Sequence, residues 1–565
     1  MKGEGTAYMR LLLLTARTLL FRSDVLSSTF LGVTNTVDSE FNTIWQPDAL
    51  APIFLLPPEV LVDVFHFLSL EEPPYSAKQN IGWIRVTHVC RLWRQVALDD
   101  SLLWARISQI PMNTEWISET LARARNAPLD IDIDLGRTSN PEVLFIFLPH
   151  ISHARVLRLH GLSYIHADGF RNVCSREAPT LEHLELRAGI FPINFQDLDG
   201  TTLFNGQAPV LQTLSLSEVL IPLSLIPRGQ LTRLEISLVD EISIFGVPSH
   251  GDLNQLIDLL VNSPELEDLT LHSCLPPQLA DFPCHQTIYL PRLSYLGLGG
   301  STSCITNLLK MFKIPPSTTL KLWSASENTF TQNHLLLPVI SAHFQSPVLV
   351  EFKMISVTVC RKGRFLEVVA STSLPTSRVH RFQEVELFVW FEGVPEHGDW
   401  TNFIKRVCKM LHISNLEFLS ICAPGKVDSV NWVEVFEGCT KVTTVQATGR
   451  GTSSLVRALS TPNTASHAHA PIFPELTFMM LMGLDFAENK PTSGILFDAV
   501  QRMVACRELK MLRIENCIIG DAHAKALQNL VPKFHWDGEL SFFDNPEEDF
   551  YPPQPWWEEG FDGTI

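Results

Sequence analysis

The 565-residue chain has no Cys-x-x-Cys pair, no Asn-x-Ser/Thr acceptor and no dense block of lysine and arginine. It also lacks an apolar run of the ~18 residues that a membrane-spanning helix requires. Its 11 cysteines are an odd number, scattered from Cys90 to Cys517, whereas secreted chains held by disulfides are short and cysteine-dense. Together these absences argue for reduced cysteines and an intracellular chain, with cytoplasm or nucleus as the expected compartment. Lysine and arginine number 43 against 61 aspartates and glutamates, a net charge of −18. Such a surface repels phosphate backbones, so nucleic acid is not an expected partner, and neither is a membrane. What is present is a folding composition, 45% hydrophobic and 18% charged, which argues against wholesale disorder.

Catalytic signatures are missing as well. No GxxxxGK[ST], GxSxG or HExxH occurs. Gly449-Arg450-Gly451-Thr452-Ser453-Ser454 is the one Gly-rich basic turn, and it is read as a connecting loop rather than an anion site. His467 and His469, and Cys284-His285 with Cys274, lack the further ligands a zinc site needs. The expectation is a non-enzymatic protein without cofactor or metal.

Residues 1–50 are expected to be a poorly ordered leader. Leu11–Leu14 resemble a signal-peptide core, but Arg17 interrupts the run after about six residues, short of the ~7–15 such a core needs. Arg10, Arg17 and Arg22, without an acid between Ala7 and Ser23, leave a mitochondrial presequence as an alternative.

Helical signals begin at Leu56-Pro57-Pro58-Glu59. Proline suits the first turn of a helix, where its missing N–H has no partner, and Glu59 suits the positive end of the dipole. Val60, Leu61, Val64, Phe65 and Leu68 then fall on one face. After Pro73-Pro74, a second amphipathic run carries Val86, Val89, Cys90, Trp93, Val96 and Ala97, and Leu102, Leu103 and Trp104 come after Asp99-Asp100-Ser101. Residues 51–106 are therefore expected to form a small helical module, with 107–135 as a connecting segment to the rest of the chain.

These three runs resemble an F-box: a Leu-Pro-x-Glu opening with an apolar helix, a Val-Cys-x-x-Trp helix, and a closing Leu-Trp. The loop over Ser69–Gly82 is longer than in compact members. The resemblance implies docking to a Skp-type adaptor and, through it, to a cullin. The positions it assigns to the adaptor are Leu56, Pro57, Val60, Leu61, Val64, Phe65, Leu68, Cys90 and Trp93.

Beyond residue 128 one pattern returns, often a proline and then Leu-x-x-Leu-x-Leu. It is clearest at Pro179–Leu186, Pro209–Leu216, Pro264–Leu271 and Pro291–Leu298, and looser at 347–354, 415–421, 474–481 and 508–514. The first members of the Leu-x-Leu pairs fall at 157, 184, 214, 234, 269, 296, 320, 352, 385, 419, 445, 479 and 512. Their spacing averages about 30 residues, near the ~20–29 of leucine-rich repeats. Helical periodicity occupies segments between them, at Leu253–Leu260, Trp400–Leu411 and Ile495–Val504.

The expected fold class is α/β: an N-terminal F-box module, then a degenerate leucine-rich-repeat-like α/β solenoid over 136–535, as in many fungal F-box proteins. In each repeat the leucines of Leu-x-Leu point inward and stack on their neighbours. The residues between them, Glu185, Ser215, Glu235, Thr270 and Gly297, are expected on the concave side as the site for a protein target, with a basic target segment favoured by the net charge. Residues 536–565 form an acidic, aromatic tail. The functional expectation is a substrate receptor of an SCF-type cullin–RING ubiquitin ligase, with an F-box scaffold or regulatory protein acting outside a ligase as the alternative and an enzyme with an unrecognised site as a further one.

Overall fold

The computed structural model describes residues 56–538 apart from 75–80, 109–113, 138–142, 190–191, 196–202, 228–229, 239–252, 282–285, 326–332, 346–349, 361–364, 375–384, 393–399, 424–429, 461–471 and 487–490. The expected leader, His467, His469, Cys284 and His285 lie outside the described residues, as does the tail from residue 539. The chain divides into two compact units, residues 1–246 and 247–565, so the boundary falls within the segment expected to be one repeat array.

In the first unit, α1 (Pro58–Glu71) starts with Pro58 in its first turn and Glu59 beside it. Leu61, Val64, Phe65 and Leu68, spaced at i, i+3, i+4 and i+7, are fully buried. The second amphipathic run does not form one helix. It splits into a 3-10 segment over Gly82–His88 and α2 (Arg91–Asp99), because Cys90 is extended at φ −155° and its Sγ accepts from the Trp93 backbone N–H at 3.5 Å. Gly82 enters the 3-10 segment at φ +54°, where a Cβ would lie 2.4 Å from the Glu72 carbonyl oxygen; only glycine fits such a turn.

α3 (Ser101–Trp104) closes the module, capped by the Asp100 carboxylate, which accepts from Leu102 N–H at 3.0 Å. Phe65 packs against Trp93 with ring centroids 5.2 Å apart, and Trp83 stands edge-on to Trp104 at 5.1 Å. The buried Trp104 indole donates to the Ala97 carbonyl at 2.7 Å.

A sheet occupies the remainder of this unit. β1 (Arg106–Ser108), β2 (Leu129–Asp134), β3 (Ala154–Leu162), β4 (His183–Ala188), β5 (Thr213–Ser217) and β6 (Arg233–Ser237) pair in sequence order, every pair parallel. Helices α4 (Thr114–Ala124), α5 (Val143–Phe147) and α6 (Ala167–Cys174) lie in the connections. Register aligns Leu157, Leu184, Leu214 and Leu234 in one row, and Leu159, Leu186, Leu216 and Ile236 in the next. All eight are buried.

The main sheet of the second unit holds eleven further strands among its described residues, beside a separate two-stranded pair, Ile288–Tyr289 with Phe312–Lys313. The eleven are β7 (Asp268–His272), β8 (Tyr295–Ser301), β9 (Thr319–Ala325), β10 (Met354–Cys360), β11 (Phe365–Ser371), β12 (Leu387–Glu392), β13 (Phe418–Cys422), β14 (Thr444–Thr448), β15 (Phe478–Met482), β16 (Met511–Glu515) and β17 (Lys533–Trp536). The helices expected near 253, 400 and 495 are α7 (Leu253–Val261), α10 (Trp400–Met410) and α13 (Pro491–Cys506). Between them stand α8 (Thr302–Met311), α9 (Asn333–Gln345), α11 (Trp432–Val435) and α12 (Ser453–Leu459), with α14 (Asp521–Gln528) last.

Here strand order departs from sequence order. β7, β8 and β9 pair in succession, but β9 then pairs with β12, β12 with β11, β11 with β10, and β10 with β13, after which β13 to β17 resume in order. β11 is antiparallel to both neighbours, and every other pair is parallel. The sheet is parallel-rich with one inverted three-strand segment.

That inversion corrects two expected repeat positions. Leu419 aligns with Ile355 rather than residue 352, and Leu320 aligns with Leu387 rather than 385. Phe352 and Val385 are buried ahead of their strands, so apolar character alone does not separate a strand position from a residue packed before it. Leu184, Leu186, Leu214 and Leu216 on β4–β5, and Leu269, Leu271, Leu296 and Leu298 on β7–β8, are all completely buried on paired strands.

Substituting Leu214→Ala should therefore destabilise the chain by ~2–5 kcal/mol, since a cavity is added to the lost burial. Ser217→Ala, on the other face of the same strand, should change stability by no more than ~0.5 kcal/mol. Chemical denaturation of both variants, monitored by circular dichroism, checks the contrast.

Candidate functional site

The residues assigned to adaptor binding separate into two groups. Leu61, Val64, Phe65, Leu68 and Trp93 are completely buried against the module's own helices, so their expected contact with a partner is corrected to a core role. Leu56, Val60 and Cys90 are partly exposed and Pro57 is exposed. Residues not assigned to the adaptor from the sequence complete an outward stripe. Phe67 (47% exposed) and Leu70 (56%) lie seven and ten positions after Val60 on α1, and Leu92 (42%) and Leu102 (54%) stand on α2 and α3. The missed signal is that helical periodicity leaves two apolar faces on α1, and a module this small can bury only one of them. Several large apolar side chains exposed together mark an interaction surface.

On the first unit's sheet, the face opposite the leucines is charged. Register places Asp132, Arg158, Glu185, Ser215 and Glu235 in one row across five strands. Arg158 lies 3.9 Å from Asp132 and 3.4 Å from Glu185, and His160 lies 3.4 Å from Asp132 and 3.9 Å from Glu185. His183 Nε2 is 3.7 Å from Glu185, and the Ser215 hydroxyl donates to Glu235 at 3.4 Å.

Burial alone would raise the Glu185 carboxyl. The His183 contact and the charges of His160, Arg158 and His183 outweigh it and hold the group below its ordinary range. The hydrogen bond to Asp132 raises His160 above its ordinary value against the opposing effect of burial, with Glu185 and Asp132 adding attraction and Arg187 opposing.

Glu185 is thus neutralised by its own neighbours. This face carries no clear excess of acid, because it alternates Asp130, Asp132 and Asp134 with Arg158, Arg187 and two histidines. The expectation that it favours a basic segment on charge grounds loses that support.

In the second unit the corresponding expected residues are not free. Thr270 is 8% exposed and Gly297 is buried. A Cβ on Gly297 would meet Thr270 at 3.2 Å and the Tyr295 ring at 3.4 Å, so neighbouring side chains close over the backbone there. Lys321, in register with Gly297, sets its ammonium 5.3 Å from the Tyr295 ring centroid, and burial lowers its pKa although Asp268 opposes the shift. Further along, Trp323 stands edge-on to His272 at 5.5 Å and tilts against Phe388 at 5.6 Å. This stretch of the sheet is aromatic rather than acidic.

The remaining candidates among the described residues are packed into the fold. Gly449, at φ +85°, donates its N–H to the Met482 carbonyl at 2.8 Å, and Gly451 donates to Ala423 at 3.0 Å, which ties the Gly-rich turn into the ladder. Burial pushes the Cys274, Cys439 and Cys517 thiols each up to about 12, far from a reactive thiolate. Among the described residues no group of three or more His, Cys, Asp or Glu could hold a metal ion.

An F-box-like family model matches residues 53–110, the segment that forms the helical module and enters β1. The chain therefore carries an F-box-like domain at its N-terminal side. A comparison with curated proteins finds no match. Among solved structures, a crystal structure of a Bacteroides fragilis protein is similar at 12% identity over 55% of this chain, with a TM-score of 0.15. The chain spans 66% of that protein's length, and a likeness this distant carries no further argument.

The His160 network has a definite pH signature. A raised folded pKa contributes stability that is fully present below about 6.5 and is lost as pH rises through the raised value. The loss of melting temperature in His160→Gln should therefore be larger at pH 6 than at pH 8.5, measured by differential scanning fluorimetry. An equal loss at both pH values would show that the pairing with Asp132 and Glu185 is not electrostatic.

Proposed function

We propose that this chain is the substrate-receptor subunit of an SCF-type cullin–RING ubiquitin ligase, acting in the cytoplasm or nucleus. The observation that carries the reading is the F-box-like match over 53–110, on a module that presents Phe67, Leu70, Leu92 and Leu102 to solvent. The adaptor surface is the outward stripe of Leu56, Pro57, Val60, Phe67 and Leu70 with Cys90 and Leu92 nearby, while Trp93 and Phe65 hold the module's shape. The strands and helices beyond the module are a degenerate leucine-rich-repeat solenoid, and its open sheet face receives a protein target. A row of adjacent strands is a broad, preorganised platform, better suited to a protein than to a small molecule. Glu185, Ser215 and Glu235 are the target-facing positions in the first unit. Ubiquitin transfer belongs to the separate ligase module that the adaptor and cullin bring.

Changing Phe67 and Leu70 to glutamate together with Leu56→Ala should lower co-precipitation of a Skp-type adaptor at least tenfold and leave the melting temperature within a few degrees. Cullin recovery should fall in parallel. A folded triple variant that retains adaptor at wild-type levels would sink the assignment, and adaptor without cullin would point to a scaffold outside a ligase.

A further inference from the structure

Strand β17 pairs with β16 on one side and, among the described residues, with no strand on the other. Lys533 and Asp537 donate their N–H groups to the Lys510 and Ile514 carbonyls on the paired side. Backbone groups alternate between the two edges of a strand. Phe534 and Trp536 therefore turn their N–H and C=O groups toward the open edge.

The side chains of these two residues lie in the inward row, in register with Leu512 and Ile514. Leu512, Ile514, Met479 and Leu481 are completely buried in that row, whereas Phe534 and Trp536 are half-buried. The Trp536 indole N–H also has no acceptor among the described residues. The stack of inward side chains thus ends on two aromatic rings with no further strand to cover them.

On its outward side β17 carries Lys533 and His535, both exposed, and no acid. Two carboxylates beside them are engaged: Glu515 pairs with Arg513, and Asp537 accepts from the Asn516 backbone N–H at 2.6 Å. No carboxylate pairs with Lys533 among the described residues.

An unpaired strand edge recruits an extended chain, whose backbone bonds supply affinity and whose side chains meet the two faces alternately. The complementary chain sets acids beside Lys533 and His535 and apolar side chains over Phe534 and Trp536. A second copy of β17 is a poorer occupant. Antiparallel pairing of two such edges sets Lys533 opposite His535, or His535 opposite its own copy, and like charges directly opposite are destabilising.

We propose that the β17 edge binds an extended segment of a partner protein in which acidic and apolar side chains alternate, adding it as a further strand. The pairing does not rest on the receptor reading, under which such a segment would belong to the target.

The probe is the acetylated, fluorescein-labelled peptide Glu-Val-Glu-Val-Glu-Val, titrated against the full chain by fluorescence anisotropy. The matching peptide Lys-Val-Lys-Val-Lys-Val should bind at least tenfold more weakly, and 0.5 M salt should weaken the acidic one. With the acidic peptide bound, hydrogen exchange at the Phe534 and Trp536 amides, read by mass spectrometry, should slow at least tenfold. Exchange at Lys533, already bonded on the paired side, should change little. Lys533→Glu/His535→Glu, at two exposed positions, should reverse the preference between the peptides and leave the melting temperature within a few degrees. No binding of the acidic peptide, or equal binding of both, overturns the proposal. So does binding without slowed exchange at Phe534 and Trp536, or a preference that the double variant leaves unreversed. Slow exchange at those two amides in the free chain overturns it in favour of an edge already occupied in cis, and slowing that grows with protein concentration does so in favour of a second copy.

Discussion

Lateral pairing of parallel strands, each burying one side of Leu-x-Leu against the next, is the interaction on which the rest of this chain depends. A single strand and its returning helix cannot cover their own apolar side chains. Leu184 is buried because Leu157 and Leu214 flank it in register, and the same holds along β13 to β16. Backbone pairing and side-chain stacking therefore stand or fall together. The alternation that hides one row of side chains is also what presents the opposite row in a plane.

The two open faces show how little the shared backbone constrains the chemistry on display. In the first unit the row Asp132–Arg158–Glu185 compensates its own charge, and its histidines make that compensation sensitive to protonation. In the second unit the row near β8 and β9 is aromatic, with glycines at 297 and 299 leaving room for Thr270 and His272 to lean over β8. From β13 onward one row, Phe418, Thr444, Phe478 and Met511, brings phenylalanine and methionine to the face, and the next, Ser420, Gln446, Met480 and Arg513, is mostly polar. The same pairing scheme thus carries three chemistries on its outward side, while the inward rows stay apolar throughout.

Much of this architecture is legible in the amino-acid sequence. Leu184, Leu214, Leu269 and Leu296 declare themselves because a leucine pair at spacing two is a strong, repeated signal. Helix α10 is evident from Trp400, Phe403, Ile404, Val407 and Cys408. The inverted segment is not, because Phe352 and Val385 imitate the repeat although they precede the strands proper. Arg361-Lys362-Gly363-Arg364, between two β-branched runs, is the available hairpin signal. At the module, family resemblance marks which residues matter but not which way they face: Phe65 and Phe67 are two positions apart on one helix, and one is in the core while the other is outside. For Thr270 and Gly297, alternation predicts the face correctly, but whether a position on that face is accessible depends on the side chains beside it.

The inverted order of β10, β11 and β12 bears on how such a chain can change in length over evolution. Where strands pair in sequence order, a whole repeat can be duplicated or lost and its neighbours close the gap with matching edges. Between β9 and β13 that is impossible: β9 bonds to β12 and β13 bonds to β10, with an antiparallel strand between. Removing any one of the three leaves edges of the wrong direction or connections that cannot span the gap. By its pairing this stretch is one unit, and it is the regular runs on either side of it that can gain or lose a single strand without changing the direction of their neighbours.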